Sequence, residues 1–211
     1  MATHTSNPEY HHGNLRQALL DAGEKLLETV GVDGLTLRGL ARETGVSHAA
    51  PYRHFTDKAD LLAALAARGF DRLARALVAT AGEHAGDPHG EYLASCRRYI
   101  ALGRKHPAMY RLMFGQPQPG VGDQPELAAA GQAAFDALTA AMHRGLAAGV
   151  FRQEPIESLA LAVWAMVHGL TELAIAGRLA LCGEGEGDAG GLSEDVCALL
   201  LRGIGACRPG A

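Results

Sequence analysis

Four side chains able to reach a phosphate or a base lie within one short stretch: His48, Tyr52, Arg53 and His54 in GVSHAAPYRHF, residues 45–55. The stretch carries almost no large apolar side chain until Tyr52 and Phe55. Ser47 is of the type that caps a helix N-terminus. Ala49 and Ala50 are small enough to let a backbone approach another surface closely. A helix starting at Ser47 offers free N–H groups and the positive end of its dipole, a combination that suits phosphate. Pro51 then falls in or just after the first turn, where a missing N–H costs little. Around this stretch, residues 36–58 set Arg38, Arg42, Arg53 and Lys58 against Glu43 and Asp57, a basic patch in a chain whose formal net charge is −4. An acidic chain does not coat nucleic acid or anionic membrane with its whole surface, but it can hold one local basic contact.

The surrounding pattern supplies a frame for these residues. Leu15, Leu19, Ala22 and Leu26 recur on one helical face, with Asn14 as a cap and Gly31 and Gly34 as the end. Thr36 is an N-cap for a short helix whose inward residues are Leu37, Leu40 and Ala41. Gly45 turns the chain, Ser47 starts a third helix to about His54, and Val46 and Phe55 complete the inward set. Thr56-Asp57 opens a fourth helix carrying Leu61, Leu62, Leu65, Phe70, Leu73 and Leu77. Helix, glycine turn, helix is the helix-turn-helix arrangement, although a plain helical hairpin shows the same pattern.

The segment TLRGLARETGVSHAAPYRHFTDKADLL closely resembles the DNA-binding signature of the TetR family of bacterial transcription regulators, over about residues 14–77. The resemblance implies that the second helix of the motif enters the major groove. Thr36, Tyr52 and Lys58 match phosphate-contacting positions, and Ser47, His48, Ala49, Arg53 and His54 fall on or beside the recognition helix. Arg38 joins them through the basic patch. Ala49 stands where the family usually has Gly, and Pro51 where it usually has an aliphatic residue. YHHGNLRQALL, residues 10–20, looks like the start of a TetR subgroup, in which His11, His12 and Arg16 either follow the phosphate backbone or form a loose terminus.

The rest of the chain reads as a larger helical bundle. Hydrophobic residues make up 48% and aromatics 5%, and much of the apolar share is Ala, which favours helix. The fold class expected is all-α. Glycines and Pro88 place a joint at 82–90. Helices are expected at 92–106, 108–114 after Pro107, 127–150, 156–181 and 193–206, with a Gly- and acid-rich stretch at 183–191. The resulting division is a polar arm 1–13, a DNA-binding unit 14–56, a linking helix 57–81, and a regulatory and dimerisation unit 88–207.

Met109, Tyr110, Met113, Phe114, Phe135 and Met142 suit an adaptable apolar pocket, and equally an ordinary core. Trp164 with His168-Gly169 resembles a TetR subgroup named for Trp, His and Gly, which implies a role for Trp164 and His168 at a ligand cavity. The alternative is that Trp164 fills core, His168 bonds a carbonyl and Gly169 admits a neighbouring helix. The 156–181 helix is apolar nearly all round and needs burial on several sides. Leu159, Val163, Val167 and Leu170, with Val196, Leu200 and Ile204 of the last helix, are the expected dimer interface.

No nucleophile elbow, metalloprotease helix or phosphate-binding glycine loop is present. Cys96, Cys182, Cys197 and Cys207 lack metal-ligand spacing. The expectations are therefore no catalytic residue, no metal, no cofactor, no secretory leader and no membrane span. They describe a cytoplasmic homodimer that binds a double-stranded operator, is released by an unknown small apolar ligand, and acts as a repressor. A DNA-binding protein without a ligand, or an all-α enzyme, stands as the alternative.

Overall fold

The computed structural model describes residues 12–115, 124–179 and 191–205. Apart from connecting turns and one isolated antiparallel bridge between Phe151 and Gly205, these residues are helical. In order they form α1 (His12–Gly34), α2 (Leu37–Thr44), a 3₁₀ turn (Pro51–Arg53), α3 (Lys58–Glu83), α4 (Pro88–Lys105), α5 (Pro107–Phe114), α6 (Pro125–Ala147), α7 (Ile156–Ile175) and α8 (Gly191–Ile204). The fold is thus all-α, as composition indicates. Residues 1–11 with His11, the loop at 116–123, the glycine-rich stretch to 190, and Cys182 and Cys207 lie outside the described residues.

Local chemistry accounts for the helix starts. The Thr36 hydroxyl accepts the Gly39 amide at 3.0 Å, and Asp57 accepts the Asp60 amide at 2.9 Å. Asp87 does the same for Gly90, at 2.9 Å. Each side chain satisfies one of the four amides that a helix start leaves unpaired. α1 begins two residues before the expected cap at Asn14 and is broken at Gly31. α7 stops at Ile175 rather than near 181, because Gly177 takes a left-handed φ of 66° and the Arg178 amide returns to the Leu173 carbonyl at 2.9 Å.

Two cores form. The head packs Leu19, Leu27, Leu35, Leu40, Phe55, Leu61 and Leu65 from α1, α2, the turn segment and the first half of α3. The body packs Leu73, Leu77, Tyr92, Ile100, Tyr110, Met142, Phe151, Leu159, Val163 and Val167. α3 runs through both. So does α5, in adjacent residues: Met109 belongs to the head core and Tyr110 to the body core, while Met113 packs against each. Surface ion pairs hold α1 to α3, with Arg68 and Arg72 both bound to Glu24 at 3.0 and 2.8 Å. Inside the body, the buried Glu91 receives Arg144 in a two-toothed contact at 2.9 and 2.5 Å, the geometry in which a guanidinium best repays desolvation.

By length and composition α7 is apolar enough to cross a membrane. Length and composition alone therefore do not carry the expectation of no membrane span. Its packing on α4, α6 and α8 makes it a core helix. At the crossing of α4 and α7, Gly103 leaves room that the Thr171 methyl and the Tyr110 ring fill; a Cβ there would overlap the methyl and lie 2.9 Å from the ring. Gly103→Ala is expected to lower stability by about 2 kcal/mol, the scale of overpacking. Gly82→Ala, near the end of α3 with open space around it, should raise stability by up to about 1 kcal/mol through helix propensity. Thermal denaturation of both variants checks the pair.

Candidate nucleic-acid interface and ligand cavity

On the head, α2 ends where Gly45 adopts a left-handed φ of 69°, and the Val46 amide bonds the Ala41 carbonyl at 3.0 Å. Only glycine takes this conformation without strain. The next segment is not the α-helix expected from Ser47 to His54. Residues 48–50 form a turn, and the single 3₁₀ turn Pro51–Arg53 comes after it. Pro51 has no N–H to return to the Ser47 carbonyl, so the Ala50 amide takes that carbonyl instead, at 3.0 Å. Ser47 caps nothing, and Ala50 sits at the cap position without a side-chain bond. The expectation that a helix dipole aids phosphate binding here is corrected, since one 3₁₀ turn has almost no macrodipole.

The expected side chains are nevertheless at the surface. Thr36, Arg38, Ser47, His48, Ala49, Tyr52 and Arg53 are exposed, while His54 and Lys58 are partly so. Tyr52 keeps 52% of its surface open, unusual for an aromatic ring with a buried proline beside it. Thr36, Tyr52 and Lys58 line one shallow recess with Leu37, Thr56 and Asp57. The Lys58 ammonium donates to the Asp33 carbonyl at 3.2 Å. Among the described residues Arg38, Arg42 and Arg53 enter no ion pair, as is also true of Arg75, Arg104, Arg111, Arg152, Arg178 and Arg202, whereas Arg16, Arg68, Arg72, Arg97, Arg98 and Arg144 do. Arg16, by contrast, pairs with Glu126 at 3.0 Å, across from α1 to α6.

The body encloses a cavity of about 490 Å³. Six of the eight expected residues line it: Met113, Phe114, Phe135, Met142, Trp164 and His168. Met109 and Tyr110 do not. Met109 is drawn into the head core, and Tyr110 sits behind His168, with ring centroids 5.5 Å apart and its hydroxyl 2.6 Å from Nδ1. The Tyr99 hydroxyl lies 3.4 Å from the same nitrogen and 3.4 Å from the Tyr110 hydroxyl. Burial pushes the Tyr99 hydroxyl up to about 12, against the Tyr110 and Trp164 hydrogen bonds, and drives that of Tyr110 higher still. Both stay neutral donors across the physiological range. Cys96, a free thiol, is raised by its hydrogen bond to Cys197 and by burial, so it is a neutral wall group. The walls from α3 and α4, with Phe70, Leu73, Tyr92, Ser95 and Tyr99, were not legible as cavity in the sequence. Their spacing marks inward faces and does not distinguish a filled core from a hollow one.

The expected dimer face is corrected. Leu159, Val163, Val167 and Leu170 are buried in their own chain, and Val196, Leu200 and Ile204 pack partly against that core. A helix apolar on all sides gives no sequence signal for which side its own chain takes. On α7 and α8 the large apolar residues left exposed are Leu161 at 59%, Leu173 at 43% and Leu199 at 60%. Gly169 shares this outer side, with nothing of its own chain within 4 Å of a Cβ placed on it.

One connection between the two sites could not be read from sequence. α5 starts at Pro107 with no side-chain cap of its own. Glu28 of α1 supplies the cap, accepting the Ala108 and Met109 amides at 3.1 and 3.0 Å. An uncapped Pro-started helix is the one clue pointing to a carboxylate from elsewhere.

A helix-turn-helix head bearing unpaired arginines, joined to a helical body with an apolar cavity, defines a DNA-binding regulator. Residues 19–65 match the family model "Bacterial regulatory proteins, tetR family", and residues 92–191 match "Tetracyclin repressor-like, C-terminal domain". The chain belongs to the TetR family of transcriptional regulators, which are not enzymes. It is similar to a protein of unknown function from Rhodococcus sp. RHA1, with 35% identity, a TM-score of 0.82, and coverage of 94% of this chain and 100% of that one. The HTH-type transcriptional regulator Rv1816 of Mycobacterium tuberculosis is 28% identical over 133 residues, 60% of this chain. The match spans 57% of that relative's length. The fatty acid degradation regulator FadR of Bacillus halodurans shares the fold at 18% identity, with a TM-score of 0.71 over 92% of this chain and 97% of that one.

Glu28→Ala leaves two α5 amides without acceptors. The expected cost is about 1 kcal/mol in thermal unfolding, with the Ala108 and Met109 amides the first in α5 to lose hydrogen-exchange protection. Unchanged stability and protection would show that the cap contributes nothing.

Proposed function

We infer that this protein is a ligand-responsive repressor that binds a pseudo-palindromic operator as a homodimer and is released when a small apolar molecule enters the cavity. The observation that carries the reading is the sharing of α5. Its Met109 fills the head core, its Met113 and Phe114 line the cavity, and its first amides rest on Glu28 of the head. A molecule that displaces Phe114 or Met113 displaces a helix that the head also needs. The linking helix α3 carries cavity residues Phe70, Leu73 and Leu77 on the same length that holds Leu61 and Leu65 in the head, so the two helices move the head together. Release is a population shift, in which the ligand binds the DNA-incompetent arrangement more tightly.

The units are an arm 1–13, a DNA-binding unit 14–56, a linking helix 57–81 and a regulatory unit 88–207. Thr36, Tyr52 and Lys58 hold phosphates, with Arg38, Ser47, His48, Ala49, Arg53 and His54 at or beside the bases. Trp164 and His168, one turn apart on α7 and both on the cavity wall, support placement in the Trp-His-Gly subgroup. Leu161, Gly169 and Leu173 of α7 with Leu199 of α8 form the dimer face, which sets two heads roughly 34 Å apart for successive major grooves. The protein works in the cytoplasm, where the chromosome is. A DNA-binding protein without a ligand is the second reading; the cavity, apolar and unfilled by side chains, favours the first.

Fluorescence anisotropy on labelled DNA from upstream of the protein's own gene, against scrambled DNA at two salt concentrations, tests the reading. Selective, salt-sensitive binding supports it, and equal affinity for both DNAs opposes it. Lys58→Ala is expected to weaken binding to every sequence and reduce the salt slope by about 0.9. Tyr52→Phe should weaken binding about fivefold without changing sequence preference, the loss of one hydrogen bond. Leu161→Glu combined with Leu199→Glu is expected to give a monomer by light scattering, with folding retained because both positions are exposed.

A further inference from the structure

We propose that the cavity selects an uncharged, ring-containing molecule with two hydrogen-bonding groups: an acceptor directed at Tyr99 and His168, and a second polar group directed at the Ser95 hydroxyl. This rests on the reading of the cavity as the ligand site and goes beyond it by naming the ligand's chemistry.

Three observations carry the proposal. First, the lining contains no Lys, Arg, Asp or Glu among the described residues. A charged ligand would lose its hydration with no counter-charge to receive it, which is costly in an apolar enclosure. Second, the Ser95 hydroxyl oxygen is buried and has no hydrogen-bond partner, while Ser95 itself lines the cavity. Buried polar groups in folded proteins are nearly always paired, and a partner supplied by ligand would pair this one. Third, Tyr99 stands one helical turn from Ser95 on α4, so the two mark a polar strip on an otherwise apolar wall. The Tyr110 hydroxyl lies 2.6 Å from Nδ1 of His168, and in this proposal the hydroxyl is the donor of that pair. The ring proton is then on Nε2, which has no partner among the described residues, and the Tyr99 hydroxyl, which accepts the Trp164 hydrogen bond, has only contacts of 3.4 Å for its own hydrogen. Both are donors, so the complementary group is a carbonyl-type acceptor. Phe70, Phe114 and Trp164 supply flat faces for a ring, and 490 Å³ matches a drug-sized molecule.

Isothermal titration of the full chain with three probes tests this: biphenyl, 4-acetyl-4′-hydroxybiphenyl, and 4′-hydroxybiphenyl-4-carboxylate. The neutral two-headed probe is expected to bind at least about tenfold more tightly than biphenyl, from two net hydrogen bonds, and more tightly than the carboxylate. Ser95→Ala should weaken that probe about fivefold and leave biphenyl unchanged. Tyr99→Phe should do likewise. Gly131→Leu, which adds bulk at a lining position with open space around it, should abolish binding of all three. Tightest binding of the carboxylate would overturn the neutral-ligand inference. An unchanged affinity in Ser95→Ala would overturn the Ser95 contact and mean that the hydroxyl bonds its own helix, at the carbonyl one turn back. No binding of any probe would overturn the proposal as a whole. If the probes bind as expected but leave DNA affinity unaltered, the regulatory reading fails while the ligand chemistry stands.

Discussion

One eight-residue helix has to satisfy two hydrophobic cores at once, and the rest of the molecule is arranged around that constraint. α5 places Met109 among the leucines of the head and Tyr110 among the aromatics of the body, with Met113 against each. Helices of this length have no stability of their own. α5 exists because both cores hold it, because Glu28 caps its start from α1, and because α3 lies against it so closely that a Cβ on Gly69 would meet the Met113 sulfur at 2.5 Å. A change on either side of such an element must be felt on the other, since close-packed interiors shift between discrete arrangements rather than deform smoothly.

Electrostatics divides the same chain into a tied part and a free part. Glu24, Glu83, Glu91 and Glu126 occupy the arginines of α1, α3, α4 and α6, which knit the helices together. Arg38, Arg42 and Arg53 of the head have no such partners among the described residues, and they are exposed, as are Tyr52 and His48. An acidic protein can therefore present one positive surface. In the body, Tyr99 and His168 on the cavity wall join Tyr110 behind it in one polar cluster, Ser95 stands one turn away, and most of the remaining wall is apolar. That separation lets a ligand gain burial energy from most of its surface and orientation from a few atoms.

Much of the head is legible in the sequence because its signals are local. Thr36 and Asp57 cap their own helices, and Gly45 takes the turn that only glycine makes easily. Pro51 stands out as an oddity, but its effect reaches the hydrogen bonds of a whole turn, and so a 3₁₀ turn stands where the residue types alone suggest an α-helix. The body is legible as helices and less so as surfaces. α7 is apolar on every side, so nothing in its sequence says that Leu159 and Val163 face inward while Leu161 and Leu173 face out. Met109 has the same character as its cavity-lining neighbours, and only the path of α5 between the cores sends it the other way. Glu28 and Ser95 act through residues 81 positions away or through an unfilled space, and no local pattern encodes either.

The central claim is that α5 couples head and body, and amide hydrogen exchange of the full chain with and without bound DNA tests it most directly. The account predicts that DNA binding changes the protection of α5, at Ala108 and Met109 above all, as well as that of residues 36–58. Changes confined to residues 36–58, with α5 exchanging identically in both states, would contradict it.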